Sequence, residues 1–241
     1  GEPVVLLNGF GFSATMWYPN VEALSSRYRI YAVDVIGEFN RSVTKSHFRE
    51  RKDYADWLTA QLDQLDIEKA CFIGHSNGGW HALNFAMHAQ HRVKKIILLA
   101  PAASFAPFAK QFGLRLLAAN VIRTRSAIID FCAKWFVNKE NRAKVSESLL
   151  EQFYHGIMGF GWKHKILIPS VFSDEDLKRI HVPALLAIGD KEVIYNPKRV
   201  FSRAQQLIPH IQLRSVPGAG HALSLEKSER INKEMLEFLN S

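Results

Sequence analysis

Cysteine is scarce in this chain, with only Cys71 and Cys132 in 241 residues. Two distant thiols cannot form a disulfide framework, so two free thiols in a reducing, cytoplasmic compartment are expected. No apolar run approaches the ~20 residues of a membrane-spanning helix. Internal repeats, low-complexity tracts and flexible linkers are also missing, which excludes a solenoid or a tethered array. No signal peptide is visible, and the chain opens at Gly1 rather than at methionine. Acidic residues are in short supply, 23 against 31 Lys and Arg, for a net charge of +8. Six of those eight charges fall between Pro101 and Ser170, where ten Lys and Arg meet four Asp and Glu. They are interleaved with apolar residues at helical spacing, which reads as the solvated face of amphipathic helices. No nucleic-acid partner is expected, and membrane association is expected to be weak or absent.

Apolar residues, by contrast, are plentiful at 47%. That suffices for one folded unit with a sizeable core. Short apolar runs alternate with helical patterns. Val4–Leu7, Ile30–Val33, Cys71–Ile73, Ile96–Ala100, Pro183–Ile188 and Ile211–Val216 read as strands. Helices are predicted over Thr15–Tyr28, with Trp17, Val21 and Leu24 on one side, and over Arg51–Leu65, with a stripe of Tyr54, Trp57, Leu58, Leu62 and Leu65. Asn196–Leu207 and Leu225–Leu239 read as two more. Continuously apolar strands separated by helices imply an α/β fold, a mostly parallel sheet with helices on both faces. The rhythm breaks once, after Pro101. There the chain shows aromatic helical stretches: Phe105, Phe108, Phe112, Leu116 and Leu117, then Ile128, Phe131, Trp135 and Phe136, then Phe153, Tyr154, Phe160 and Trp162. Residues 1–101 and 173–241 are therefore expected to form the core, and 102–172 an inserted helical cap. Strand rhythm resumes after Ser173-Asp174-Glu175-Asp176, whose spacing resembles a capping box.

Chemistry concentrates at Gly74-His75-Ser76-Asn77-Gly78, between the strand ending at Ile73 and a helical run from Gly79 to Met87. A serine on such a sharp strand-to-helix turn is held in a strained backbone with its hydroxyl pushed out above the sheet. A hydroxyl is a poor nucleophile until an oriented base takes its proton. His221, in the small-residue loop Pro217-Gly218-Ala219-Gly220-His221, follows the last predicted strand and so lies where strand carboxyl ends gather. His81 and His88 fall on the helix after Ser76, and His155 and His164 in the insertion, so none of them shares that position. The acid should follow the penultimate strand, where Asp190 and Glu192 both stand, and residue chemistry does not choose between them. After the preceding strand, Ala100-Pro101-Ala102-Ala103 offers no carboxylate. An oxyanion needs two main-chain amides. The residue after the nucleophile, Asn77, supplies one, and the glycine-rich loop Asn8-Gly9-Phe10-Gly11-Phe12 suits the other.

These segments resemble the α/β-hydrolase fold superfamily over nearly the whole chain. Val4–Gly11 is similar to its strand and oxyanion loop, Asp34-Val35-Ile36-Gly37 with Arg41-Ser42 to its Asp-x-x-Gly-x-Gly-x-Ser loop, Gly74–Gly78 to its nucleophile elbow, and Pro217–His221 to its histidine loop. The resemblance implies Glu192 as the acid, Phe10 as the second oxyanion amide, and a carboxylesterase-like serine hydrolase acting on small apolar esters without metal or organic cofactor. It leaves thioesterase, lipase, carbon–carbon bond hydrolase, perhydrolase and non-catalytic binding as alternatives. Asn8 departs from the family, which usually carries histidine there. The chain also opens at what would be the family's third strand, so the first hairpin is expected to be absent and an edge strand to be exposed.

Overall fold

Strands whose side chains are apolar on both sides must be covered on both sides, and the computed structural model shows that arrangement. It describes residues 1–38, 48–159 and 167–241, apart from the side chain of Asn120. Arg41 and Ser42 of the Asp34 loop, and Phe160, Trp162 and His164, lie outside the described residues. Six strands, β1 (Glu2–Leu7), β2 (Tyr28–Val33), β3 (Ala70–His75), β4 (Val93–Leu99), β5 (Ala184–Gly189) and β6 (Gln212–Val216), form one sheet in the order β2-β1-β3-β4-β5-β6. All five pairings are parallel. Side chains alternate faces along a strand. Val5 and Leu7 of β1 join one core with Phe72, Leu98 and Leu186, whereas Val4 and Leu6 join the other with Ile73, Leu99 and Leu185.

The helices are α1 (Tyr18–Ser25), α2 (Arg51–Gln64), α3 (Asn77–His88), α4 (Lys110–Ile122), α5 (Arg125–Phe131), α6 (Glu147–Gly159), α7 (Asp174–Lys178), α8 (Pro197–Leu207), α9 (Leu223–Glu226) and α10 (Ser228–Asn240). Leu58 of α2, Leu83 of α3 and Val200 of α8 cover one face, and Leu24 of α1, Phe153 of α6 and Met235 of α10 cover the other. Among the described residues between β4 and β5 the elements are all helical: α4 to α7, a π-turn over Cys132–Phe136 and a 3-10 turn over Lys139–Lys144. Ser173 caps α7 as its spacing predicts, accepting from Asp176 N at 3.0 Å.

Several expectations shift. The predicted helix over Thr15–Tyr28 begins as a 3-10 turn and ends at Ser25, because Tyr28 already pairs with Glu2 in the sheet. Leu65 lies beyond the end of α2 and is 44% exposed, so it leaves the buried stripe. Among the described residues β1 is paired on both sides, and β2 and β6 form the two edges of the sheet. Both cysteines are free and buried, and burial pushes the Cys71 and Cys132 thiols up to about 11 and about 12. Among the described residues, no helix is long and apolar enough to cross a membrane.

Candidate active site

Parallel strands deliver every candidate segment to one edge of the sheet. The chain order reverses between β1 and β3, and a crevice opens beyond the strand ends at such a point. Ser76 follows β3 directly, with φ 52° and ψ −115°. Residues with a β-carbon rarely adopt a positive φ. Here the surroundings enforce it: Ser76 N donates to Leu99 O at 2.9 Å, and Ser76 O accepts from Trp80 N at 3.1 Å and Ala102 N at 2.9 Å. The flanking glycines are sterically required. A β-carbon on Gly74 would lie 2.2 Å from Gly78 O, and one on Gly78 would lie 2.1 Å from Leu7 O.

His221 reaches Ser76 from the loop after β6. Its Nε2 lies 2.9 Å from Ser76 Oγ, and its Nδ1 lies 2.8 Å from Glu192 Oε2. The other oxygen of Glu192 accepts from Val193 N at 2.7 Å and Ile194 N at 2.9 Å. A carboxylate only accepts, so its contact assigns the ring proton to Nδ1 and leaves the Nε2 lone pair facing the serine hydroxyl. Asp190 stands apart from this series. It accepts from Gly218 N at 2.8 Å, is part-exposed, and lies 3.7 Å from the Lys191 ammonium.

The main chain of His221 is fastened by residues that sequence patterns did not single out. His221 N and Ala222 N both donate to Phe136 O, at 2.8 and 3.3 Å. His75 Nε2 donates to His221 O at 2.8 Å. Burial, with the charge of His221 second, lowers the His75 imidazole to about 3, so it stays neutral. Glu226 is fully buried and accepts from Gly220 N at 2.9 Å, Asn138 N at 3.0 Å and Asn141 Nδ2 at 2.9 Å. Burial raises its carboxyl above the ordinary range despite those donors. Asn138 and Asn141 also donate side-chain N–H groups to Gly218 O, at 2.9 and 2.6 Å.

The segments carrying Phe10 and Asn77 meet at the elbow. Asn77 opens α3, where the first helical N–H groups lack intrahelical acceptors. Phe10 lies in the loop after β1, which Phe12 N closes onto Gly9 O at 3.1 Å. A β-carbon on Gly9 would lie 3.4 Å from the Ser76 β-carbon, so this loop runs against the elbow. An aromatic group borders the site. The Phe136 ring is centred 5.1 Å from the His221 ring, and Phe131 and Phe153 follow it at 4.9 and 6.2 Å.

A parallel sheet with a strained serine after one strand, an acid after the penultimate strand and a histidine after the last defines the α/β-hydrolase architecture. The chain belongs to the alpha/beta hydrolase fold family, which matches it over residues 2–228. It is 38% identical over 250 residues to the protein called "uncharacterized carboxylesterase nap" of Bacillus subtilis (strain 168), across 99% of this chain and 79% of that relative. Identity to carboxylesterase YbfK of the same strain is 36% over 241 residues, across 98% and 79%. The crystal structure of naproxen esterase (carboxylesterase NP) from Bacillus subtilis superposes with a TM-score of 0.90 at 36% identity, across 99% of this chain and 84% of that one.

Proposed function

We propose that this chain is a carboxylesterase that works through an acyl-enzyme, with Ser76 as nucleophile, His221 as base and acid, Glu192 as the orienting carboxylate, and the Phe10 and Asn77 amides as oxyanion donors. One observation carries the assignment of roles: Glu192, His221 and Ser76 are linked in series at 2.8 and 2.9 Å, from three loops far apart in sequence. Ser76 Oγ attacks the ester carbonyl carbon while its proton moves to His221 Nε2. Glu192 stabilises the imidazolium that forms. The carbonyl electrons move onto oxygen, and each amide facing that oxygen contributes about 3–4 kcal/mol. As the intermediate collapses, the carbon–oxygen bond to the alcohol breaks and His221 returns the proton to the leaving oxygen. Water then repeats the sequence and frees the acid and Ser76.

In this reading, residues 102–172 form a cap over a core of 1–101 and 173–241, and the substrate is a small apolar ester. Phe136 beside the His221 ring supports an apolar acyl or alcohol site, since such pockets are mostly hydrophobic with few polar groups. Buried, unpaired Cys71 and Cys132 fit a reducing compartment. A fluorophosphonate probe should label the wild type and not Ser76→Ala, and short nitrophenyl esters should be hydrolysed only by the wild type. A wild type that is neither labelled nor active refutes the proposal in favour of a binding protein on this fold.

A further inference from the structure

Asn8 stands where the family usually carries histidine, and the structure gives its carboxamide a buried partner. Asn8 Nδ2 donates to Phe12 O at 2.7 Å, to Gly9 O at 3.2 Å and to Glu38 Oε2 at 3.4 Å. Asn8 Oδ1 accepts from Val35 N at 3.1 Å, and Glu38 N closes that turn on Val35 O at 3.3 Å. The loop after β1 and the loop after β2 are therefore stitched together at Asn8. The other oxygen of Glu38 accepts from Asn77 Nδ2, and Gly11 N also donates to the carboxyl group. Glu38 is 8% exposed, and among the described residues no cation pairs with it. A carboxyl this buried is costly and rarely incidental.

The partners of Glu38 have a common meaning. Asn8 and Gly11 flank Phe10, and Asn77 is the residue whose own amide would face the oxyanion. Two amides on different loops must converge on one oxygen atom, and a link between the loops sets that spacing. We propose that Glu38 is a positioning residue of the oxyanion site, whose single carboxyl group ties the loop carrying the Phe10 amide to the helix start carrying the Asn77 amide. This rests on the carboxylesterase reading above.

Among the described residues, the titratable groups around Glu38 are Asp34 just after β2, Tyr54 on α2 and His81 on α3. Asp34 opposes ionisation of Glu38, and Glu38 in turn helps raise the Tyr54 phenol. His81 Nε2 lies 3.4 Å from Asn77 Nδ2, and burial lowers its imidazole to about 3, so it supplies no positive charge near neutral pH. Burial, opposed by the Asn77 and Gly11 hydrogen bonds, raises the Glu38 carboxyl to about 8. Near neutral pH the link is thus uncharged. Above pH 8 it becomes an anion behind the site where the oxyanion forms, which disfavours the transition state.

The test compares wild type, Glu38→Ala and Glu38→Gln on a short nitrophenyl ester from pH 6 to 9.5, together with inhibition by a trifluoromethyl ketone. The ketone's serine adduct places its oxyanion on the same two amides. Glu38→Ala should lose about 100-fold in kcat, as a displacement of about 1 Å does. KM should change by less than about twofold, and ketone affinity should weaken in parallel with kcat. Glu38→Gln keeps a carbonyl acceptor but cannot ionise. It should stay within about tenfold of wild type below pH 8 and lose the alkaline fall in kcat. The proposal is overturned by Glu38→Ala with kcat within about threefold of wild type, or by a kcat loss without weaker ketone binding. Should Glu38→Ala not fold, Glu38→Gln decides alone, and an alkaline fall identical to wild type overturns the proposal. A wild type that neither turns over the ester nor takes a fluorophosphonate label refutes the carboxylesterase reading and this one with it. An active, labelled wild type beside an unimpaired Glu38→Ala refutes only the role of Glu38.

Discussion

Replacing Glu192 with glutamine changes one oxygen for an amide nitrogen, and the surroundings dictate which oxygen. Glu192 Oε1 already accepts from the main-chain amides of Val193 and Ile194, at 2.7 and 2.9 Å. Turning the new carboxamide over would set its NH2 group against those two donors, at about 1–3 kcal/mol for each group left unsatisfied. The carbonyl oxygen therefore stays with the amides, and the NH2 group faces His221 Nδ1. That nitrogen must then accept, so the ring proton moves to Nε2. An Nε2 that carries a proton cannot take one from Ser76. The analogous wrong-tautomer substitution in a serine-protease triad costs about 10⁴ in kcat, or about 5.5 kcal/mol of barrier, and a similar loss is expected for Glu192→Gln. Asp190→Asn is the control. Its Oδ1 remains available to Gly218 N, and its part-exposed charge contributes little, so kcat should stay within about threefold. Turnover of a nitrophenyl ester, normalised to folded protein by thermal melting, reads both variants. A larger loss in Asp190→Asn than in Glu192→Gln, or a loss below about tenfold in Glu192→Gln, would refute the reasoning.

One substitution and one change of condition test the surroundings of the site. Gly156→Ala should destabilise the protein by about 1–3 kcal/mol, although alanine is the better helix former by about 1 kcal/mol, because the added carbon would lie 2.1 Å from Gly11 O. Urea melts and kcat check it, and a more stable variant with full activity would contradict the packing of α6 on the loop after β1. Stability should also fall on acidification, because burial depresses both the His75 and the His81 imidazole to about 3 from 6.5. The unfolded chain then binds more protons between pH 6.5 and 3, and each ring costs up to about 1.4 kcal/mol per pH unit as pH falls through that window. Glu38, raised to about 8 from 4.5, acts with the opposite sign: its contribution is full below 4.5 and is lost as pH rises toward 8. Glu226 is raised in the same direction. The histidine-linked loss should therefore be steepest below pH 4.5, where the two carboxyls no longer offset it. Urea unfolding from pH 3.5 to 7.5 measures this, and a flat profile below 4.5 would contradict neutral buried imidazoles.

What sequence could show depended on how local each signal was. β1, β3, β4 and β5 are interior strands, so both faces are apolar and the runs stand out. β2 and β6 are edges, and Arg29, Gln212 and Arg214 dilute their patterns; the ends of interior strands blur as well, since the apolar run Ile96–Ala100 begins three residues inside β4, past Lys94 and Lys95. Ser76 and His221 each carry a local signature, a strained elbow and a small-residue loop. The acid does not. Asp190 and Glu192 sit two residues apart on one turn after β5, and only the path of that turn decides which carboxyl meets the ring and which meets Gly218. Helical periodicity identifies residues that share a face but not whether anything covers it. Leu117, in the same helical stretch as Phe112 and Leu116, is 61% exposed beside Leu114 and Val121 on the outer side of α4. Glu38 and Glu226 were invisible for a different reason. Most of what they bind is main-chain N–H or asparagine side chains from remote loops, and a lone acid in a sequence gives no hint of such partners.

The histidine loop gives the proposed cap a task beyond covering the core. A general base is effective only if its ring is already aimed when the substrate arrives, because reorientation during reaction costs barrier. His221 has its ring held at both nitrogens, its carbonyl held by His75 and its amide held by Phe136. Phe136, Asn138 and Asn141 come from the insertion, and their hydrogen bonds to Gly218, His221, Ala222 and Glu226 contribute about 1 kcal/mol each. Residues 136–141 therefore cannot swing away without releasing the loop that carries His221, the proposed base. In the proposed reading the part of the cap nearest Ser76 is a fixed wall, and the aromatic ring of Phe136 is fixed with it. An apolar group entering beside His221 meets a surface set by the same hydrogen bonds that aim the imidazole, so substrate shape and base alignment share one structural cause.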